Sequence, residues 1–320
     1  MKIRTAVIGL GQIGQGYDYD LDPQEYILSH CQAIQTHPSF ELLAGVDISK
    51  KNRQRFEKKF NVSAFNSISD LQAFSLDLLV ISTPTDHHLE TVKEVVSMLS
   101  PKMILIEKPL SYNFKEAKEI VSISKDTCIA VNYIREYEPS HREFCEKLAN
   151  QLIGNEIKAI CWYSKGIMNN GSHFIQLLSN FMGELEDINL ISDEKQIWKG
   201  IDPEPTLELN YQNGRAYFIP TDEECFTLFE MELIGAKGKV KYYNGGTHYD
   251  WWEVVDDPII DNYRKLETNP KKITTNMDKY QYFVYENIAE NIKGERELDC
   301  SAKDALETAK ILNEIKERLN

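Results

Sequence analysis

The sequence contains no hydrophobic run long enough to cross a membrane. Its apolar stretches, such as Met103–Ile106, fall far below the roughly 20 residues that a membrane-spanning helix needs. Positive charge is also scarce, since 36 lysines and arginines face 50 aspartates and glutamates, which gives a net charge of −14. These deficits argue against a membrane partner, and also against a nucleic-acid partner, whose phosphates attract basic surfaces.

Cysteines are few and scattered. The six of them lie at positions 31, 128, 145, 161, 225 and 300, without a close pair and without a histidine at metal-ligand spacing. The adjacent His87 and His88 cannot easily face one ion, so we expect no metal site. Isolated cysteines in a chain of this size are most simply reduced thiols, and we expect a cytoplasmic protein.

What the sequence does contain is a glycine-rich turn close to its start. An apolar, β-branched run, Ile3–Ile8, leads directly into Gly9, Gly11 and Gly14. The pattern is typical of a buried strand followed by the phosphate-binding turn of a dinucleotide site. In such a site Gly9 makes the turn, Gly11 admits the pyrophosphate and Gly14 lets the helix pack on the strand. Gln12 and Ile13 belong to the same turn, and the alternative is an ordinary glycine turn without a ligand.

The second predicted strand ends in Asp47. A carboxylate at this position can bind the adenosine ribose diol and would repel a 2′-phosphate, which favours NAD over NADP. Lys50, Lys51 and Arg53 follow closely and leave NADP open as an alternative.

An acidic segment, residues 16–23, separates the glycine turn from the next helical pattern. We interpret it as an insertion in the region of the first helix. It is either a surface flap close to the phosphate site or a solvated loop.

The chain has two halves of different character. In residues 1–132 short apolar runs alternate with helical patterns, which predicts a doubly wound parallel sheet of the Rossmann type. In residues 133–320 strand-like runs follow one another, and Asn213-Gly214 is a strong hairpin signal. We therefore predict an α/β protein with a dinucleotide-binding domain and a second α/β domain, whose large, mostly antiparallel sheet has one open face. The C-terminal helices can pack back on the first domain.

Several further motifs occur in order along the chain. They are Thr83-Pro84 followed by His88, the strand-end tripeptide Glu107-Lys108-Pro109, the segment Asn132-Tyr133-Ile134-Arg135, the helix start Asn169-Asn170-Gly171-Ser172-His173, and a glycine hairpin within residues 229–238. Together with the glycine turn they resemble the Gfo/Idh/MocA family, named for glucose–fructose oxidoreductase, inositol dehydrogenase and MocA. The resemblance covers nearly the whole chain. It implies a homodimer or homotetramer that uses the open face of the sheet.

The resemblance also implies reversible hydride transfer between NAD(P) and a secondary hydroxyl of a sugar-type substrate. Lys108 would hydrogen-bond the reacting hydroxyl or take its proton, because a closed pocket disfavours the charged form of a lysine. His173 is the better general base, since imidazole titrates near neutral pH. The structural alternatives are a surface lysine beside a proline turn and a histidine satisfied by backbone. Further residues expected at the cofactor are Thr83, Pro84, His88 and Glu107, together with Lys108 itself.

Two positions depart from the family pattern. The residue three after His173 is Gln176, where the family usually has aspartate, and Asn169 likewise replaces an aspartate. Gln176 can orient the imidazole by a hydrogen bond but supplies no charge. The loss weakens the expected mechanism, or it indicates a negatively charged substrate, because fewer carboxylates near Lys108, Lys165 and Arg135 would leave a locally cationic pocket. Candidate substrate contacts are Tyr133, Arg135, Lys165 and Asn170.

We therefore expect an NAD-dependent dehydrogenase for an activated or anionic sugar, such as a nucleotide sugar, a phosphosugar or a sugar acid. The stretch from Tyr163 to His173 also resembles the branch of the family associated with unusual surface sugars. A dehydrogenase for a free sugar or inositol is the nearest alternative. Two more distant alternatives are a catalytically silent NAD-binding regulatory protein and an enzyme that retains NAD for net non-redox chemistry.

Overall fold

The computed structural model of the chain describes residues 2–124, 127–192, 197–200 and 202–319. The chain forms two compact units. The first joins residues 1–138 to residues 278–310, and the second joins residues 139–277 to residues 311–320. The first unit thus includes residues 133–138, which the sequence predicts for the second domain, and residues 278–310, whose helices the sequence allows to pack back on the first domain.

The first unit is built on a parallel sheet, six-stranded within the described residues, with the order β3-β2-β1-β4-β5-β6. The strands are β1 (Ile3–Ile8), β2 (Phe40–Val46), β3 (Ala64–Phe65), β4 (Leu78–Ile81), β5 (Met103–Ile106) and β6 (Cys128–Val131). All of β4 and β5 is buried, as expected for strands that are covered on both faces and read as continuous apolar runs. The predicted Rossmann sheet is confirmed.

The helices of the first unit connect these strands and close the sheet. They are α1 (His30–Thr36), α2 (Lys50–Phe60), α3 (His88–Leu99), α4 (Phe114–Ile123), α5 (Ile134–Tyr137) and α8 (Tyr280–Ile292). The backbone N–H of Val131 in β6 donates to the carbonyl of Cys300 over 3.0 Å. The segment before the last helix, α9 (Ala302–Leu319), therefore covers the edge of this sheet, which would otherwise expose unpaired backbone groups.

The second unit contains a mixed sheet, nine-stranded within the described residues. Its order is β16-β15-β14-β13-β7-β12-β11-β8, and β17 pairs with β15. The strands are β7 (Ile157–Tyr163), β8 (Leu185–Ser192), β11 (Thr206–Tyr211), β12 (Gly214–Pro220), β13 (Glu230–Gly235), β14 (Gly238–Tyr243), β15 (His248–Asp256), β16 (Arg264–Leu266) and β17 (Lys271–Thr274). Of the described pairs, β7 with β12 is parallel and the others are antiparallel. A separate ribbon joins β9 (Ile197–Trp198) to β10 (Asp202–Pro203).

Aromatic side chains join helices to one face of the second sheet. Phe174 of α7 (Ser172–Met182) stacks on Phe229 with a ring separation of 3.9 Å. Phe144 of α6 (Pro139–Ala149) packs on Tyr249 of β15 at 4.1 Å. The predicted hairpin at Asn213-Gly214 is present, since Tyr211 pairs with Gly214. The large, mostly antiparallel sheet is therefore confirmed.

The acidic insertion is anchored by Asp18. The glycine turn runs into one π-helical turn, Gln12–Gly16, and the first full helix begins only at His30. Asp18 is completely buried, and its carboxylate accepts hydrogen bonds from the backbone N–H groups of Leu28 (2.6 Å) and Ser29 (2.9 Å) and from the Ser29 hydroxyl. Lys59 of α2 donates to the carbonyls of Asp18 and Tyr19. Most of the segment is exposed, as expected for a surface loop, but the buried hydrogen bonds of Asp18 anchor it to the first unit.

We expect Asp18→Ala to lower the free energy of unfolding by roughly 2–4 kcal/mol, because two backbone donors lose their acceptor away from water. Urea denaturation followed by circular dichroism measures the change. Asp20→Ala is the matched control, since Asp20 is exposed, and we expect a change within about 0.5 kcal/mol. Equal losses in the two variants would show that Asp18 does not anchor the insertion.

Candidate functional site

The glycine turn of the first unit combines tight packing with one open position. Gly9 has a positive φ of 95°, and a Cβ built on it would lie 2.5 Å from the carbonyl oxygen of Ser82. A Cβ on Gly14 would lie 2.2 Å from the carbonyl oxygen of Gly9. By contrast, no atom lies within 4 Å of a Cβ on Gly11. The backbone is therefore open at Gly11, the position where the predicted pyrophosphate would approach.

The loop after β4 borders this turn. Ser82 donates its hydroxyl to the carbonyl of Gly9 over 2.6 Å, and β1 and β4 are neighbours where the strand order reverses. Thr83 follows, and its buried Oγ1 has no hydrogen-bond partner among the described residues. Open α/β sheets bind their ligands in the crevice at this reversal. An open glycine backbone and an unsatisfied buried hydroxyl fit a dinucleotide at this edge.

Asp47 lies directly after β2, as predicted, but its carboxylate already has partners in the protein. Oδ2 accepts the backbone N–H of Leu10 (2.8 Å) and the side-chain amide of Asn52 (3.0 Å). Oδ1 accepts the backbone N–H of Ser49 (2.7 Å). Since each oxygen accepts two hydrogen bonds, Oδ1 keeps one acceptor position. A ribose diol bound through both oxygens would have to replace one of these donors.

His88 is completely buried. Its Nδ1 lies 3.1 Å from the carbonyl oxygen of Pro109 and its Nε2 lies 3.1 Å from that of Thr83. Burial lowers the pKa of His88 below its ordinary value. The ring therefore connects the loop after β4, where Pro84 is exposed, to the turn after β5. This geometry supports an indirect role at the cofactor site for His88.

Glu107 and Lys108 follow β5 at the same edge of the sheet, and the Lys108–Pro109 peptide bond is cis. Oε1 of Glu107 accepts hydrogen bonds from Nε2 of His30 (2.9 Å) and Nδ2 of Asn132 (2.6 Å). Burial alone would raise the pKa of Glu107. The hydrogen bonds and the charge of Lys108 outweigh burial, so the pKa lies below its usual value. His30 was missed by sequence reasoning, because no local pattern connects residues 30 and 107.

The candidate substrate contacts of the first unit lie deeper than expected. Tyr133 and Arg135 are both buried, and Tyr133 belongs to the hydrophobic core of this unit. The charge of Arg135 acts on the hydroxyl of Tyr280 in α8. Both side chains therefore pack inside the first unit and do not lie on its exposed surface.

The second unit carries His173 and Gln176 on helix α7. Their spacing of three residues places both on one face of the helix. Gln176 is buried, whereas His173 is partly exposed and its ring packs edge-on against Phe229. Asn169 and Asn170 lie in the π-helical turn that leads into the helix.

The expectation of a locally cationic pocket is wrong for the residues around Lys165. Its ammonium pairs with Glu223 over 3.0 Å. Asp202 and Glu204 are both buried against the turn at 166–171, where Asp202 accepts the backbone N–H groups of Met168 and Asn169. Glu204 accepts the backbone N–H of Gly166 over 2.9 Å. Carboxylates are thus present here after all, supplied by a distant segment that carries no recognisable motif.

Within the described ranges, no group of three or more His, Cys, Asp and Glu side chains is arranged to hold a metal ion. In the same residues, no helix has the length and apolarity to cross a membrane.

The parallel sheet, the glycine turn at its reversal point and the second, open-sheet unit define a dinucleotide-binding α/β protein. Residues 3–133 match the model of the oxidoreductase family with an NAD-binding Rossmann fold. Over this domain the chain is similar to the Gfo/Idh/MocA oxidoreductase family. The resemblance seen in the motifs is therefore confirmed, as is the expectation of a nicotinamide dinucleotide at the level of the family.

Individual proteins are similar to this chain over different lengths. A protein of Amycolatopsis mediterranei named as a UDP-kanosamine synthase oxidoreductase subunit is 31% identical over 90 residues, which are 28% of this chain and 22% of that protein. The match thus spans about a fifth of the curated relative. The structure of the WlbA dehydrogenase from Chromobacterium violaceum, in complex with NADH and UDP-GlcNAcA, has a TM-score of 0.75 at 15% identity and covers 99% of this chain and 93% of that one.

A second similar structure is KijD10, a 3-ketoreductase from Actinomadura kijaniata in complex with TDP-benzene and NADP. Its K102A mutant has a TM-score of 0.75 at 15% identity and covers 99% of this chain and 98% of that one. At these identities, the solved structures establish the fold that the two units share with them.

We expect Gly11→Ala to fold normally but to bind NAD at least about 10-fold more weakly, because the added methyl group occupies the space that the pyrophosphate needs. Isothermal titration calorimetry measures the affinity. Gly9→Ala is the contrasting variant, with an expected loss of more than about 2 kcal/mol of stability from its positive φ and the contact with Ser82. Unchanged NAD affinity in Gly11→Ala would exclude this turn as the phosphate site.

Proposed function

We propose that the protein is an NAD(P)-dependent dehydrogenase that transfers hydride between the nicotinamide and a secondary hydroxyl of a sugar derivative. Lys108 carries the proposal, because it follows Glu107 at the carboxyl edge of the same parallel sheet that holds the glycine turn. Both features lie in the unit that matches the oxidoreductase family.

The residues of the first unit suit a proton-transfer role for Lys108. A bound nicotinamide supplies the acceptor or donor for hydride. As hydride leaves the carbinol carbon, the hydroxyl proton must also leave, and a neutral Lys108 amine would take it. In the reverse direction the ammonium of Lys108 would hydrogen-bond the carbonyl oxygen and return the proton. His173 is the second candidate for the proton, with Gln176 on the same helical face.

A nucleotide sugar is the favoured substrate, ahead of a phosphosugar or a sugar acid. Two proteins with this fold hold nucleotide-linked ligands, UDP-GlcNAcA in one and TDP-benzene in the other. The curated relative is named for a UDP-sugar reaction. The preference for a nucleotide sugar rests on these similar proteins. It does not rest on a cationic field around Lys165, because Glu223 pairs with that lysine.

NAD is favoured over NADP by the surroundings of Asp47. A carboxylate at this strand end would repel a 2′-phosphate. Arg53 directs its guanidinium to the carbonyls of Asp47 (2.7 Å) and Ile48 (3.0 Å) and to the side chain of Asn66 (3.1 Å). Its charge is thereby held by neighbouring acceptors. The cysteines of the described chain are all free, which supports a reducing compartment, and we infer the cytoplasm.

The direct test is to add NAD and a panel of nucleotide sugars, phosphosugars, sugar acids, free sugars and inositol, and to follow the absorbance of reduced nicotinamide. We expect turnover with an activated or anionic sugar. Turnover only with free sugars or inositol would overturn the substrate class. NAD binding without turnover on any compound would favour a silent binding protein.

We expect Lys108→Ala to lower turnover at least about 100-fold while NAD affinity stays the same, since the proton loses its acceptor. Lys102→Ala is the matched control, because Lys102 lies just before the same strand and pairs at the surface with Asp77. Turnover rates and NAD affinities of both variants are compared with the original protein. An unaffected rate in Lys108→Ala would remove this lysine from the reaction.

We further propose that a second copy of the chain covers the open face of the mixed sheet in the second unit. Ile160 is 37% exposed there, and it lies opposite Tyr217 and Glu232 on the neighbouring strands. Side chains of opposite charge lie on neighbouring strands of this face, and Lys239, for example, pairs with Glu232 at 3.0 Å. Two copies of the chain can therefore present complementary charges to each other. The partly apolar, charge-balanced face supports a homodimer or homotetramer.

We expect Ile160→Glu to lower the molar mass in solution toward that of the monomer, because it places a charge in the centre of the contact. Size-exclusion chromatography with light scattering measures the mass. Ile259→Glu is the matched control, since Ile259 is 88% exposed in the loop between β15 and β16. A monomeric original protein, or an unchanged mass in Ile160→Glu, would contradict the proposed interface.

A further inference from the structure

We propose that His30 is a positioning residue for Lys108: its Nε2–H group holds the Glu107 carboxylate as a buried anion next to the lysine. The inference rests on the proposed function of Lys108. It goes beyond the motifs of the sequence, because His30 belongs to none of them and lies directly after the insertion that interrupts the first helix.

The hydrogen bonds of His30 define which ring nitrogen carries the proton. The ring is completely buried. Nδ1 lies 2.9 Å from the side-chain nitrogen of Gln281, whose oxygen in turn accepts from Asn132 over 3.2 Å. Because this amide presents its NH₂ group to Nδ1, Nδ1 is an acceptor and Nε2 is the nitrogen that carries the hydrogen. Nε2 therefore donates to Glu107 over 2.9 Å.

Asn132 supplies the second donor to the same carboxylate oxygen, over 2.6 Å. His30, Glu107, Asn132 and Gln281 thus form a closed ring of hydrogen bonds in the first unit, in which each side chain contacts two others. The hydroxyl of Tyr285 lies 3.0 Å from Nδ1 of His30 and supports it from the same helix as Gln281. Such a network fixes the position of each member more firmly than a single hydrogen bond would.

The network acts on Lys108 through charge. Glu107 is the neighbour of Lys108 in the chain, and the lysine helps to keep the pKa of Glu107 below its usual value. A buried carboxylate without its donors takes up a proton instead of remaining charged. If His30 is removed, Glu107 protonates at a higher pH, and Lys108 loses the anion that orients its ammonium group.

Other ionisable groups near Glu107 do not replace His30. The charged or titratable side chains that act on the carboxylate or sense its charge are His30, Lys108, His88, Tyr280 and Tyr285. Burial raises the pKa values of Tyr280 and Tyr285 far above neutral, and it lowers that of His88. These three groups therefore stay neutral near pH 7, and of them Tyr280 donates its hydroxyl to the carbonyl of Leu28.

The insertion places His30. Ser29 precedes the helix, and its backbone N–H and hydroxyl are held by the buried Asp18. The first full helix of this unit therefore begins at a fixed position, His30, and the imidazole of His30 is directed toward Glu107. Through Ser29, His30 and Glu107, the acidic insertion is connected to Lys108 as well as to the glycine turn.

The test compares His30→Leu, which removes the donor, with His30→Gln, which retains an amide donor. His37→Leu is the matched control, because His37 lies just after the same helix and bonds Glu286 over 3.1 Å, a glutamate whose side chain is 48% exposed. Turnover is measured against pH, together with NAD affinity.

We expect His30→Leu to lower turnover about 10–100-fold with unchanged NAD affinity, because Lys108 is misplaced while the phosphate turn is intact. In the direction of carbonyl reduction, where Lys108 acts as an ammonium ion, the acid limb of its pH profile moves to higher pH, since Glu107 protonates earlier. His30→Gln recovers most of the rate and returns the limb toward its original position, and His37→Leu leaves both unchanged. Equal effects in His30→Leu and His37→Leu, or no difference between the Leu and Gln variants, would overturn the proposal.

A second measurement needs neither turnover nor cofactor. Long-range ¹H–¹⁵N NMR of the original protein reports the tautomer of each histidine, and the signals absent from His30→Gln identify His30. We expect a neutral ring protonated at Nε2, and a ring protonated at Nδ1 or at both nitrogens would overturn the inference even if His30→Leu fails to fold. Full turnover in Lys108→Ala would instead reject the proposed function, whereas a loss there with a silent His30→Leu would reject only this inference.

Discussion

A largely buried carboxylate holds together the part of the first unit on which the candidate chemistry depends. Glu107 lies at the end of β5, and its donors come from the start of α1 and from the end of β6. Gln281 of α8 connects these two donors to each other. Since an unpaired buried charge costs several kcal/mol, the four segments are constrained to meet around this side chain. Because Lys108 is the next residue, that constraint also fixes its position.

The second unit uses buried carboxylates in a comparable way. Asp202 and Glu204 accept backbone N–H groups of the turn that precedes helix α7, and they lie where the family-like motif had lost acidic residues. The acidic composition of the chain is thus partly structural. A count of charges in a motif does not give the field around it, because side chains from distant segments contribute equally at short range.

Most strands could be predicted because their apolar runs are continuous or alternate with period two. The run Ile3–Ile8, for example, is a strand with the predicted bounds. Strand β13 begins at Glu230, after a segment that turns back at Asp222, where Glu223 pairs with Lys165. Strand β15, with Trp251 and Trp252, is difficult to predict from sequence, because it is half-buried on both faces and its residues show no clear alternation.

The sequence by itself determined the fold class, the glycine turn after the first strand, the likeness to the oxidoreductase family and the place of Lys108 at the end of a strand. These follow from local patterns, in which each residue type is required by its immediate neighbours. Only the tertiary structure decided that Asp18 is buried and anchors the insertion, and that His30 donates a hydrogen bond to Glu107. It also decided that Asp202 and Glu204 supply carboxylates to the turn before helix α7. Such contacts join residues far apart in the chain, and their hydrogen bonds depend on distances that no local pattern encodes.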